Sequence, residues 1–199
     1  MKGLTRIAMV GIAVIAMVSG CKKGYEAHPF TGAPSIDPAP WIAAVNAVRE
    51  DGQQCGEETI PPQDKLKWSK KLYAIAYEHT SDMNQSGIIN PNGDGSGKAS
   101  DYTAQVQGLG RGSTHSERVR NNDYHPVYIR EIATGDSSAA VAGDVNAIIK
   151  YWLNDAENCK KIMDANVTEF GMAYIHDDQS KYKYYWTIDL GKPSPKDTW

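Results

Sequence analysis

Apolar residues recur every three or four positions in three stretches of the chain and every second position in two stretches near its end. From Pro40 to Glu50, Trp41, Ala44, Val45 and Val48 mark one face of a helix that Asp37 or Pro38 can start. After the loop carrying Cys55 and the Pro61-Pro62 break, Leu66, Leu72, Ile75, Ala76, His79 and Met83 outline a longer helix over Ser69 to Ser86. Its apolar face is expected to be a main core element. A third helix opens at Ser137 or Ser138 and runs through Val141, Val145, Ile148, Ile149, Trp152 and Leu153, with Asn158-Cys159 near its end. His115 to Asn122 suits a short helix and Tyr128 to Ala133 a short strand. Val167 to Ile175 and Tyr182 to Leu190 alternate as strands joined by the polar turn His176 to Ser180, which reads as an antiparallel hairpin. Helices first and strands late imply α+β layering.

Gly87 to Thr114 breaks this rhythm. Asn90 to Gly97 form one run of turn formers, and Gly108, Gly110 and Gly112 follow, so a long loop is expected. Asn92-Gly93-Asp94-Gly95 invites a calcium reading, but the further oxygen ligands and closing glutamate of an EF-hand are missing.

Ahead of the first helix, Lys2 and Arg6 precede the apolar run Ile7 to Val18, and Met17-Val18-Ser19-Gly20-Cys21 closes it. This is the layout of a secretory leader. A cysteine as first mature residue makes it a lipoprotein leader, resembling the bacterial lipobox, with residues 1–20 removed and Cys21 acylated. The competing reading is an uncleaved transmembrane helix, yet the run is shorter than the ~20 apolar residues a span needs. Lys22 in place of Asp after the lipid cysteine implies the outer membrane where a bacterium has two. Residues 21–40, with Pro29, Pro34, Pro38 and Pro40, read as a tether too poor in apolar groups to pack, holding the domain off the lipid.

The remainder has the length of one domain, expected over residues 41–191, with residues 192–199 as a tail. Acidic residues number 24 against 21 basic ones, and nothing in that balance asks for nucleic acid. With Cys21 given to lipid, two cysteines are left. Outside the cytoplasm Cys55 and Cys159 read most simply as one disulfide, the rival being two free thiols, one of them a nucleophile.

The order of short motifs resembles a known family. Asn46-Ala47-Val48-Arg49, Cys55-Gly56, Leu66-Lys67-Trp68-Ser69 and His79-Thr80-Ser81-Asp82-Met83 are similar to the opening of bacterial CAP domains, the superfamily of cysteine-rich secretory and pathogenesis-related-1 proteins. Tyr151-Trp152-Leu153-Asn154, Asn158-Cys159, Thr168-Glu169-Phe170-Gly171-Met172-Ala173-Tyr174 and Tyr185-Trp186-Thr187 resemble its closing signature. The resemblance implies an α-β-α sandwich with an antiparallel sheet between helical layers. It also implies a disulfide between the cysteine before the long helix and the one in the late motif.

Many CAP domains line a central cleft with two histidines and two acids, a set able to hold zinc. Here Asn158 stands where the bacterial family usually has histidine before the cysteine, and an amide is a poor zinc ligand and no general base. Ile89-Asn90-Pro91 occupies the region of the other histidine, so His115, beyond the loop, is the candidate replacement. Glu131 resembles the family's cleft glutamate, and Asp155 stands where some members carry a second acid, though it suits a solvated helix end equally. The candidate cleft is therefore His115, Glu131, Asp155 and Asn158. His79 reads as a core-edge histidine bonded to backbone, Trp68, Trp152 and Trp186 as core anchors, and Tyr182, Tyr184 and Tyr185 as partly exposed. Three functions follow: a lipid-anchored, non-catalytic binding or scaffold module for an envelope component or small hydrophobic ligand, without cofactor; a metal-dependent hydrolase or protease with His115, Glu131 and Asp155 as ligands or base, zinc being the metal; or a lipid or sterol carrier.

Overall fold

Pro38 opens α1 (Ala39–Asp51), which leads into the small hairpin β1 (Gln53–Cys55) and β2 (Glu58–Ile60). The chain then runs through β3 (Lys67–Trp68) into α2 (Lys70–Ser86), whose first turn is capped by the Ser69 hydroxyl accepting from the Leu72 amide. This computed structural model describes residues 25–90, 93–138 and 141–195. The leader and Cys21 lie outside the described residues.

The stretch expected to be one long loop is more ordered than its composition implied. It contains α3 (Tyr102–Gln107), and two buried aspartates organise the rest. Asp82 of α2 accepts from the hydroxyls of Ser96 and Ser100 and from the Ser96 amide. Asp101 caps α3 and also accepts from Gly97 N, Ser113 N and Ser113 Oγ. Turn formers supply the amides and hydroxyls that surround each carboxylate, so composition alone hides the order. α4 (His115–Asn121) follows with a complete capping box between Thr114 and Glu117.

The later elements are β4 (Pro126–Asp136), α5 (Val145–Leu153), α6 (Ala156–Ile162), β5 (Glu169–His176) and β6 (Tyr184–Pro193). Two boundaries differ from the sequence reading for one reason. Asp144 and Asp155 are both extended, and each caps the helix behind it, so α5 starts at Val145 and Asn158-Cys159 sits on a separate helix. β6 also runs past residue 191, taking residues 192 and 193 out of the expected tail.

The main sheet has the order β3-β5-β6-β4. β4, β6 and β5 pair antiparallel as expected, and β3 adds a two-residue parallel edge on β5. One face carries Ile132, Phe170, Met172, Trp186, Ile188 and Leu190 against α1, α5 and α6. The other receives α2 and α4, with Leu72, Ile75, Val119 and Ile129 in one cluster. α2 crosses β5 so closely at Gly171 that a Cβ there would strike the backbone of Leu72 and Tyr73. The result is α+β, a sheet between two helical layers. β6, central and covered on both faces, is buried at every position from Tyr185 to Gly191, so Tyr185 is buried and not half-exposed as alternation suggested.

Residues 25–38 depart from the expected free tether. They lie along the domain: Asn121 exchanges hydrogen bonds with both backbone groups of His28, Asn122 Oδ1 accepts from Phe30 N at 2.8 Å, and Tyr73 donates to Pro34 O at 2.9 Å. Backbone polarity holds this segment, which an apolar count cannot register.

Cys55 and Cys159 form a disulfide, with Cα atoms 5.4 Å apart and a separation of 104 positions along the sequence. It joins the β1 hairpin to α6 beside Met163 in a small buried cluster. Replacing both cysteines by serine should lower the unfolding free energy by about 4 kcal/mol, read from urea denaturation. Equal midpoints for the two proteins would contradict that.

Candidate functional site

The polar centre of the molecule lies between α2, α4 and the β4–β6 pair. Glu131 and Asp189 are register partners on adjacent strands and share the face that α2 and α4 cover. The capping box fixes the start of α4, so His115, its first residue, and Arg118, one turn on, both turn toward these acids. His79 comes down from α2. Four elements thus converge on two carboxylates.

The contacts are short and largely buried. Arg118 Nη2 donates to both Glu131 oxygens, at 3.0 and 2.9 Å, and to the carbonyl of Gly93. The Arg118 and Glu131 side chains are 1% and 5% exposed, which makes this a desolvated ion pair. His115 Nε2 lies 2.6 Å from Asp189 Oδ1 and 3.8 Å from Glu131. A Cβ on Gly93, where φ is +73°, would strike a Glu131 oxygen, so only glycine lets the loop close here. Behind Arg118, Glu78 accepts from Thr103 N and Asn122 Nδ2.

His79 is fully buried, with Nε2 3.9 Å from Glu131. Neither ring nitrogen has a hydrogen-bond partner among the described residues, contrary to the expected backbone bonds at a core edge. Burial, then Arg118, pushes its pKa down to about 3, so it is neutral. Burial would raise Glu131, but Arg118, His115 and His79 outweigh that and hold it at about 2. Burial, with Glu131 beside it, raises Asp189 to about 6 against the pull of His115. Burial opposes a charged His115, yet Glu131 and Asp189 prevail and raise its pKa. Both groups therefore hold protons to higher pH than in water, Asp189 through burial and the neighbouring Glu131, His115 through the two acids.

In front of this cluster opens a cleft of about 460 Å³ lined by Gly93, His115, Asn158, Lys161 and residues 129–133 of β4, Glu131 among them. Three of the four sequence candidates meet there: His115, Glu131 and Asn158. Asp155 does not join them. It is exposed, accepts from Asn158 N at 2.8 Å as the cap of α6, and lines an adjoining groove. Arg118 and Asp189 were missed by the sequence reading. Asp189 did carry a signal, as an acid inside the apolar run of β6, whereas Arg118 looked like any polar helix residue.

His115, Glu131 and Asp189 each offer a ligand atom, all within 4.8 Å of one another. The surroundings do not fit a divalent cation. Arg118 already neutralises both Glu131 oxygens and would repel a second cation, His115 Nε2 is engaged by Asp189, and Asn158 adds only an amide.

The proton affinities set a pH dependence. A carboxyl raised in the folded state stabilises below its unfolded pKa and loses that contribution as pH rises through its folded value. Asp189 should therefore cost up to about 3 kcal/mol of stability between about pH 4 and 7, and Asp189→Asn should remove that slope. Glu131, held low, acts oppositely, its contribution being lost as pH falls from about 4 toward 2. Denaturation midpoints against pH check both, and parallel curves for wild type and Asp189→Asn would contradict the assignment.

Among solved structures, an outer surface protein from Borrelia burgdorferi is similar at a TM-score of 0.56 and 13% identity, over 81% of this chain and 99% of that one. An extracellular protein containing an SCP domain from Bacillus anthracis aligns at 0.47 and 15% identity over 65% of this chain, which spans 34% of that protein. A cysteine-rich secretory protein from Staphylococcus aureus aligns at 0.42 and 16% identity over 78% of this chain and 39% of the other. No curated protein matches the chain. The family model described as CAP, the cysteine-rich secretory protein family, matches residues 42–190, from α1 to the middle of β6, so the chain belongs to that family.

Proposed function

We propose that this chain is a lipid-anchored, extracytoplasmic CAP domain that acts as a binding module through the β4 cleft and not as a metal-dependent hydrolase. The observation that carries the reading is the guanidinium of Arg118 on both oxygens of Glu131, where a cleft cation would otherwise sit. The half-buried polar side chains lining the cleft, Asn158, Lys161 and His115, suit a polar ligand better than a small hydrophobic one or a sterol. The leader supports an anchor at Cys21, and no helix among the described residues is long and apolar enough to cross a membrane. With residues 25–38 laid on the domain, the four-residue step from Cys21 to Tyr25 reaches at most about 14 Å. The domain is then held close to the lipid, not off it.

A hydrolase reading draws on His115, Glu131 and Asp189 as ligands. Zinc calorimetry on the domain from residue 25 onward separates the two. Binding should be absent at about 0.5 mM zinc, a concentration far above the affinity of built zinc sites. Stoichiometric micromolar binding that disappears in Glu131→Gln would overturn the proposal.

A further inference from the structure

β4 is an edge strand: among the described residues it pairs only with β6. Its register with β6 is regular from Tyr128 to Asp136. Residues 129–133 line the main cleft and 133–135 the adjoining groove, and the two spaces share Ala133 and Asn158. Side chains of a strand alternate between faces, so a wall made of consecutive residues is made by the strand's edge. The carbonyl of Glu131 accepts from Lys161 Nζ at 3.1 Å, and that of Ile129 from Arg130 Nη1 at 3.3 Å. Both therefore point away from β6. By the alternation of an antiparallel ladder, the N–H and C=O groups of Ala133 and Gly135 point the same way, into the groove.

An exposed edge of this length is commonly blunted by charged side chains, and Lys161 and Arg130 do that here. Their guard is also a recognition element. At this end of the groove the cations are Arg130, Lys161 and His115. The nearby acids are already engaged: Glu131 by Arg118, Asp189 by His115, Glu157 by Lys160 Nζ at 3.7 Å, and Asp164 by the Tyr128 hydroxyl, with Arg130 Nε 3.8 Å away. Asp155 lies at the other end, capping α6. A carboxylate arriving beside Arg130 and Lys161 would draw them off the two carbonyls and leave those carbonyls free for an incoming amide.

We infer that the cleft binds an extended acidic peptide, which adds as a fifth strand to the edge of β4 with a carboxylate side chain opposite Arg130 and Lys161. This rests on the binding-module reading and names its ligand class. Main-chain hydrogen bonds would supply most of the affinity and the two cations the charge preference.

The probe is a fluorescein-labelled, capped octapeptide of alternating valine and glutamate, titrated by anisotropy against the domain from residue 25 onward. Submillimolar binding is expected, with the amides of Glu131, Ala133 and Gly135 slowed in hydrogen exchange. A fully N-methylated peptide with the same side chains should bind at least about tenfold more weakly, because its donors are gone. Lys161→Glu should weaken the acidic peptide and favour a valine–lysine one. Ala133→Pro, which removes an outward N–H where an edge strand tolerates proline, should abolish binding. No binding up to about 1 mM, an affinity no better than a nonspecific contact, would overturn the inference. So would equal binding of the N-methylated peptide, or pairing of two copies through β4 in sedimentation without peptide. Zinc calorimetry decides the underlying reading separately, so a protein that binds neither zinc nor peptide keeps the binding module and loses only this ligand.

Discussion

The buried ion pair between Arg118 and Glu131 is the constraint on which the centre of the structure depends. Two charges removed from water cost several kcal/mol each, and only close geometry with further hydrogen bonds repays that. Here every such bond of Arg118 runs through Nη2, while its Nε and Nη1 are buried without a hydrogen-bond partner among the described residues, and each group in the contact comes from a different element. α4 supplies the guanidinium, β4 the carboxylate, and the loop after α2 the Gly93 carbonyl that takes a further Arg118 bond. The pair thus ties the Gly93 loop to α4 and β4, which already meet through Val119 and Ile129 in an apolar cluster. It also decides the chemistry, because a cleft carboxylate satisfied by an internal cation has no need of an external one.

Around this polar centre the frame is ordinary packing. Trp152 and Trp186 are buried in the larger core, and each indole N–H has a partner, Thr134 Oγ1 at 2.7 Å and Val141 O at 2.8 Å. Arg49, also buried, donates to the carbonyls of Asp64, Ile162 and Asp164 and so holds α1 against the turn after α6. The disulfide fastens α6 to the β1 hairpin on the same side. α6 carries Asn158 and Lys161, so this fastening also sets the far wall of the cleft along β4.

Much of the frame was legible because it rests on period and capping. The helices around Ala44 and Ile75 and the late hairpin follow apolar spacing, and the family's motif order locates Glu131 and the cysteines. What escaped was set by polar contacts distant in sequence. Asp82 and Asp101 order a segment that composition marks as loop, Asn121 and Asn122 hold a segment that composition marks as free, and Arg118 meets Glu131 only after α4 has folded against β4. His115 was suspected but needed the ordered loop to bring it in. Asp189 was missed, because its one signal, an acid in an apolar strand, has no spacing rule behind it.

A double-mutant cycle between Arg118→Met and Glu131→Gln tests the central claim most directly. Each single variant leaves an unpaired buried polar or charged group and should lose about 3 kcal/mol or more, while the double variant should lose far less than the sum. A coupling energy of at least about 2 kcal/mol from urea denaturation is the predicted result. Additive losses would mean that the two side chains do not depend on each other, and would remove the reason for reading the cleft as one that supplies its own cation.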